Sequence, residues 1–173
     1  MKGSFTMDPA AQVTQTLDQM GIAYQLVRHP VATTTAEADH YIEGIAGVRT
    51  KTMFLTNQKK TADYLVIMDD QQRLDFHRFQ ELTGAKRPKM ASDDRLATKL
   101  GLQPGIVSIF GLLNNADHDV QVYFDQAIMD QDRMSFHPNS NTSTIFVATE
   151  DLLRFLKALK YDYQVIDLTG ASS

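Results

Sequence analysis

Apolar positions recur along this chain with two periods, one helical and one alternating. Val13, Leu17 and Met20 follow Asp8 and Pro9 at helical spacing until Gly21 stops the pattern, which predicts an opening amphipathic helix with an N-cap and a first-turn proline. Residues 22–28 then read as a strand, and a threonine-rich loop over 33–35 can cap a short helix over 36–42. Residues 51–56 and 64–68 are apolar β candidates. Asn57, Gln58, Lys59 and Lys60 between them give the polar connection of a hairpin.

Further on, Ser92, Asp93 and Asp94 open a short helix that carries Leu96 and Leu100 inward and ends at Gly101. Residues 120–124 alternate as a strand does, and residues 145–147 read as another strand after a turn at Asn141. The last helix is read as capped by Thr149, with Glu150 and Asp151 at its positive end and Leu152, Phe155, Leu156 and Leu159 as its apolar stripe. Residues 163–166 form a closing strand.

This order lacks the regular βαβ alternation of a doubly wound parallel sheet. It predicts an α/β chain of the α+β type, with a mixed, largely antiparallel β-sheet surrounded by helices. With 173 residues, the chain has the length of one domain. We assign that domain to residues 8–168, with 1–7 read as a cloning remnant or disordered tail and 169–173 as a disordered tail.

Composition narrows the chemistry. Apolar residues at 43% and charged residues at 22% are globular values, and no apolar run reaches the roughly 18 residues of a membrane span. Without cysteine there is no disulfide, thiolate zinc site or cysteine nucleophile, which fits a reducing cytoplasm. The formal charge of -4 argues against bulk electrostatic coating of nucleic acid but permits local basic patches at Lys59/Lys60 and Lys86/Arg87/Lys89. Each patch also reads as a solvated turn. No dinucleotide or Walker glycine pattern is present, and no cofactor is expected.

The richest stretch runs over residues 100–142. Its glycine- and asparagine-rich loops, around Gly105 and around His137 and Asn141, can bring main-chain N–H groups and a His/Asn pair to one concave site. His137 suits a proton carrier or hydrogen-bond donor, and equally a structural histidine of the 138–140 turn. Lys51 heads an apolar strand, where it is either solvated or held at a pocket rim to meet a phosphate or developing oxyanion. His29, also followed by proline, reads as structural. The histidines lack metal-ligand spacing, so no metal is expected. No Gly-x-Ser-x-Gly elbow occurs.

Four segments in this order carry a resemblance: Lys51-Thr52-Met53-Phe54-Leu55, Leu100 to Gly105, Val107 to Asn115, and Phe136 to Thr142. Together with the His-Pro-x-x-x-Thr stretch from His29 to Thr34, they resemble the prolyl-tRNA synthetase-associated domain proteins of the YbaK superfamily. The resemblance implies a freestanding editing enzyme that hydrolyses mischarged aminoacyl-tRNA, most similar to deacylases that clear alanine from tRNA(Pro). It implies aminoacyl-tRNA as partner, with prolyl-tRNA synthetase a further candidate.

Carried over residue by residue, it makes Lys51 the functionally required lysine, Gly105 the start of the loop that approaches the ester, and His137 and Asn141 part of the lining. Lys51, Gly105 and His137 are then the expected catalytic group. Thr34, Thr52, Phe54, Ile106, Val107, Ser108, Ile109 and Asn141 are the expected substrate-binding group, with Phe54 and Ile109 as walls or as core. The chain departs from the family pattern at Thr52, where asparagine is common, and at Ile109, where proline is common. A non-catalytic module that binds aminoacyl-tRNA or a synthetase, and a deacylase preferring cysteine or serine, are the alternative readings.

Overall fold

A computed structural model describes residues 8–168. The two tails assigned from the sequence lie outside these described residues. In chain order the elements are α1 (Pro9–Gln19), β1 (Tyr24–Arg28), α2 (Thr35–Tyr41), β2 (Val48–Thr56), β3 (Asp63–Asp69), α3 (Phe76–Thr83), β4 (Lys89–Met90) and α4 (Asp93–Leu100). A 3₁₀ helix (Ile109–Asn114) follows, then β5 (Val120–Asp125), α5 (Gln126–Met129), β6 (Arg133–Phe136), β7 (Ser143–Ala148), α6 (Thr149–Ala158) and β8 (Tyr163–Ile166).

The strands form one sheet in the order β1-β7-β6-β2-β3-β5-β8, with β4 also paired to β2. Four pairings are antiparallel and three, β2/β6, β3/β5 and β5/β8, are parallel. The expected mixed, mainly antiparallel sheet is therefore present.

Alternation along the β2/β3 hairpin explains how this sheet buries both faces. Phe54, Leu65 and Ile67 point into the larger core, with Leu17, Phe110, Phe124 and Phe155. Leu55, Tyr64, Val66 and Met68 point the other way and meet Phe79 of α3. At about 25 cal/mol per Å2 of apolar surface removed from water, each fully buried Leu, Ile or Phe contributes roughly 1.5–3 kcal/mol.

Local chemistry sets the helix ends. Thr34, Asp75 and Ser92 cap α2, α3 and α4 by accepting main-chain N–H bonds, and Gly84 and Gly101 end α3 and α4 in the left-handed conformation. One sequence expectation is corrected here. Ala148, not Thr149, occupies the N-cap of α6. The Thr149 hydroxyl donates instead to the Gln131 carbonyl at 2.5 Å, tying the helix start to the loop before β6.

Candidate active site

The site begins as a gap along one edge of β2. β6 pairs with that strand only at Val48 and Arg49, and β4 only at Leu55 and Thr56. Between these two partners the stretch 50–53 borders a cavity of about 290 Å3, closed by Met90, Gly105, Val107 and His137. Three distant segments, β2, the loop after α4 and the turn after β6, thus converge on Lys51. Larger surface hollows of about 590 and 610 Å3 lie at the α6–β8 corner and beside Gly44–Gly47, and neither contains these residues.

Each converging segment has a local reason for its position. Gly105 adopts φ +88°, a conformation that side-chain-bearing residues rarely hold, and it lets the loop turn toward β2. Gly111 permits the next close approach, since a Cβ there would lie 2.8 Å from the Leu102 side chain. Downstream of His137, Asn139 is buried at φ +58°, and its side-chain amide donates to the Phe110 carbonyl at 3.2 Å. The two loops are therefore fastened to each other.

Electrostatics distinguish the cationic groups. Burial pulls the Lys51 ammonium below the usual lysine range; Asp70 and Asp69 oppose this, and Arg73 adds to it. Burial likewise holds the His137 imidazole below its ordinary value; His29 adds to the effect and Asp70 opposes it. His137 is therefore neutral at pH 7, and its buried Nδ1 has no hydrogen-bond partner among the described residues. Beneath them lies a carboxyl pair: burial first, then hydrogen bonding with Asp70 and its charge, push Asp39 up to about 7 against the pull of Arg49.

Of the residues expected from the sequence, Lys51, Thr52, Gly105, Val107 and His137 line one cavity. Phe54 and Ile109 are core residues. Ser108 is fully buried, and its hydroxyl accepts the Phe110 N–H at 3.1 Å to cap the 3₁₀ helix. Ile106 is outside the lining, with its N–H on the Gln103 carbonyl at 3.3 Å. Thr34 is exposed and caps α2. Asn141 is also outside the lining; its carbonyl accepts the Ala32 N–H at 3.0 Å. The Asn114/Asn115 pair is structural, as Asn115 binds the main chain of Lys99, Asp119 and Val120 and the Tyr161 hydroxyl.

Sequence reading missed Thr50, Met53 and Met90 of the lining, and the Asp39/Asp70 pair. Asp70 shares a face with Lys51 only through the hairpin register, which places the second of two adjacent aspartates at the end of β3 diagonal to the lysine of β2.

An ammonium, an imidazole and the main chain of a glycine loop around a small cavity can hold a polarised oxygen ligand. The mixed sheet around it is also that of a solved structure described as a candidate trans-editing enzyme for prolyl tRNA synthetase, at TM-score 0.74 and 20% identity, covering 96% of this chain and 100% of that one.

Residues 29–155 match the aminoacyl-tRNA editing domain, and the chain belongs to that family, whose activity is of the deacylase (hydrolase) class. It is 34% identical over 163 residues to the Prolyl-tRNA editing protein ProX of Acetoanaerobium sticklandii, covering 94% of this chain and 99% of that protein. It is 29% identical over 156 residues to Prolyl-tRNA synthetase associated domain-containing protein 1 of Mus musculus, covering 88% and 92%. No helix among the described residues is long and apolar enough to cross a membrane.

Proposed function

We propose that this protein is a trans-editing deacylase that hydrolyses mischarged tRNA, with alanyl-tRNA(Pro) as its preferred substrate. The observation that carries the reading is the convergence of Lys51, Gly105 and His137 on one cavity of about 290 Å3. That volume is at the lower end of ligand sites, suited to a small amino acid and the terminal ribose. The names of the relatives from Acetoanaerobium sticklandii and Mus musculus support the assignment to prolyl-tRNA.

A second sieve is needed because a pocket shaped for proline excludes alanine poorly, a missing methylene being worth only about 1–3 kcal/mol. In the proposed reaction, water adds to the ester carbonyl carbon and the carbonyl oxygen gains negative charge. The tetrahedral centre then collapses, and the bond to the ribose oxygen breaks. The proton lost by water ends on that oxygen, releasing free alanine and tRNA.

The Gly105 and Val107 amides are assigned to the carbonyl oxygen, since the Ile106 N–H is already bonded to Gln103. Lys51 holds the terminal phosphate or the developing oxyanion. Neutral His137 positions the water from the cavity wall and is not the base. An aminoacyl ester is activated enough for this placement to suffice.

The test charges tRNA(Pro) with alanine, proline, serine or cysteine and follows ester loss with wild type and Lys51→Ala. Fast, Lys51-dependent loss of alanine alone supports the proposal. Loss of serine or cysteine instead moves the specificity, and binding without loss of any ester makes the protein a non-catalytic module.

A further inference from the structure

The carboxyl of Asp70 lies next to the proposed site but has no role in the reaction written above. Register shows how it gets there. Lys51 is opposite Met68 in the β2/β3 ladder, and the Asp70 N–H extends the pairing by donating to the Arg49 carbonyl at 2.9 Å. Opposed residues share a sheet face, so Arg49, Lys51, Met68 and Asp70 all point to one side, with Asp70 diagonal to Lys51.

The Asp70 oxygens differ in their surroundings. Oδ1 accepts from the Gln71 side chain at 3.0 Å, whereas Oδ2 is buried with no hydrogen-bond partner among the described residues. A buried, unpaired carboxylate oxygen is costly. Asp39, near the C-terminal end of α2, supplies the missing partner when its own carboxyl is protonated. Arg49 does not neutralise the pair by contact, because its guanidinium donates to the Gly47 and Ile42 carbonyls at 2.7 and 2.8 Å. Among the described residues, no group of three or more His, Asp or Glu side chains is arranged to hold a metal ion.

We propose that Asp70 is a positioning residue for deacylation: it supplies the negative counter-charge that keeps the Lys51 ammonium charged and directed toward the cavity. The inference rests on the deacylase reading. Its logic is charge balance. Asp39 holds its proton up to about pH 7, and the charge of Asp70 opposes the effect of burial on the Lys51 ammonium. Asp70 attracts Lys51 through space and forms no ion pair with it, so the ammonium remains available to substrate oxygen. The charged and titratable groups acting on Asp70's neighbours are Arg49 and Asp69 on Asp39, Asp69 and Arg73 on Lys51, and His29 on His137, with Asp70 itself acting on all three.

The pH profile of kcat for alanyl-tRNA(Pro), read for wild type, Asp70→Asn, Asp70→Glu and Asp39→Asn, separates this role from a structural one. Removing the counter-charge makes Lys51 lose its proton at lower pH. Asp70→Asn should therefore shift the alkaline limb of kcat down by about one pH unit, which is about tenfold in rate where wild-type Lys51 is still charged. Asp70→Glu should restore the limb, and Asp39→Asn, which keeps a donor to Asp70 but removes the charge that Asp39 gains above about pH 7, should lower the limb by less than Asp70→Asn does.

The Lys51 ammonium titration, followed by NMR on the same folded proteins, should move with the kcat limb. If wild type is active and Lys51-dependent but the Asp70→Asn limb and ammonium titration coincide with wild type, this inference is wrong and the deacylase reading stands. If wild type hydrolyses none of the four esters, both fall.

Discussion

The side-chain amide of Asn139 donates to the main-chain carbonyl of Phe110 at 3.2 Å, so the turn bearing His137 and the helix after the Gly105 loop form one buried unit. The bond spans two segments far apart in sequence and fixes the spacing of two cavity walls. Asn139→Ala should therefore remove the bond that joins the two walls and put alanine at φ +58°. The combined cost is about 2–4 kcal/mol. Urea unfolding should show it as a lower midpoint, accompanied by loss of deacylation.

Two glycines should fail in different ways. Gly105 has open space around its missing Cβ but a positive φ, so Gly105→Ala costs only backbone strain of about 1–2 kcal/mol. Because the strained loop lines the cavity, we expect a loss of kcat/KM of tenfold or more with a small change in Tm. Gly111→Ala should do the reverse. Its methyl meets Leu102 at 2.8 Å and the Leu100 side chain at 3.1 Å, an overpacking cost of about 1–3 kcal/mol read mainly in Tm.

What could be read from the sequence followed how local the signal was. α1, α4, the β2/β3 hairpin and α6 carry enough periodic apolar positions, or a clear enough turn, to be read directly. α3 was missed because it buries a single residue, Phe79, which leaves no repeat to detect. β6 was missed because four residues that include Arg133 and Ser135 show little apolar pattern, although its neighbours β2 and β7 make it an interior strand. Of the cavity lining, Lys51, Gly105 and His137 are expected from residue type and resemblance. Asp39 and Asp70 are not, because only the hairpin register and the packing of α2 bring them together. The same blindness to packing left Phe54 and Ile109 as walls or core, and the fold puts both in the core.

The Asp63–Arg95 pair gives a prediction confined to stability. Asp63 is only 2% exposed, and its two carboxylate oxygens accept Arg95 Nε and, at 3.0 Å, Nη2. Arg95→Ala would leave that carboxylate buried and uncompensated. The expected loss is about 3 kcal/mol, at the low end for such pairs because the guanidinium is partly exposed. Chemical denaturation should detect it, while kcat/KM per folded molecule stays at the wild-type value.

Asp39 makes a pH-dependent contribution whose sign is fixed. Its folded pKa of about 7 lies above the ordinary carboxylate value, so the native state binds the proton more tightly than the unfolded chain. The stability from this group is fully present below about pH 4 and is lost as pH rises through 7. Asp39→Asn should flatten that part of the stability profile between pH 4 and 8. An unchanged slope would show that Asp39 does not hold its proton into this range.

The central claim is tested most directly by single-turnover loss of the ester from alanyl-tRNA(Pro) and prolyl-tRNA(Pro), with wild type and Lys51→Ala compared on the same charged RNA. Wild type should release alanine and spare proline, and Lys51→Ala should lose at least about a hundredfold in alanine release, the contribution expected of a positioned charge at a developing oxyanion. Alanine release that proceeds equally well without Lys51, or wild-type release no faster than spontaneous hydrolysis, would contradict the account.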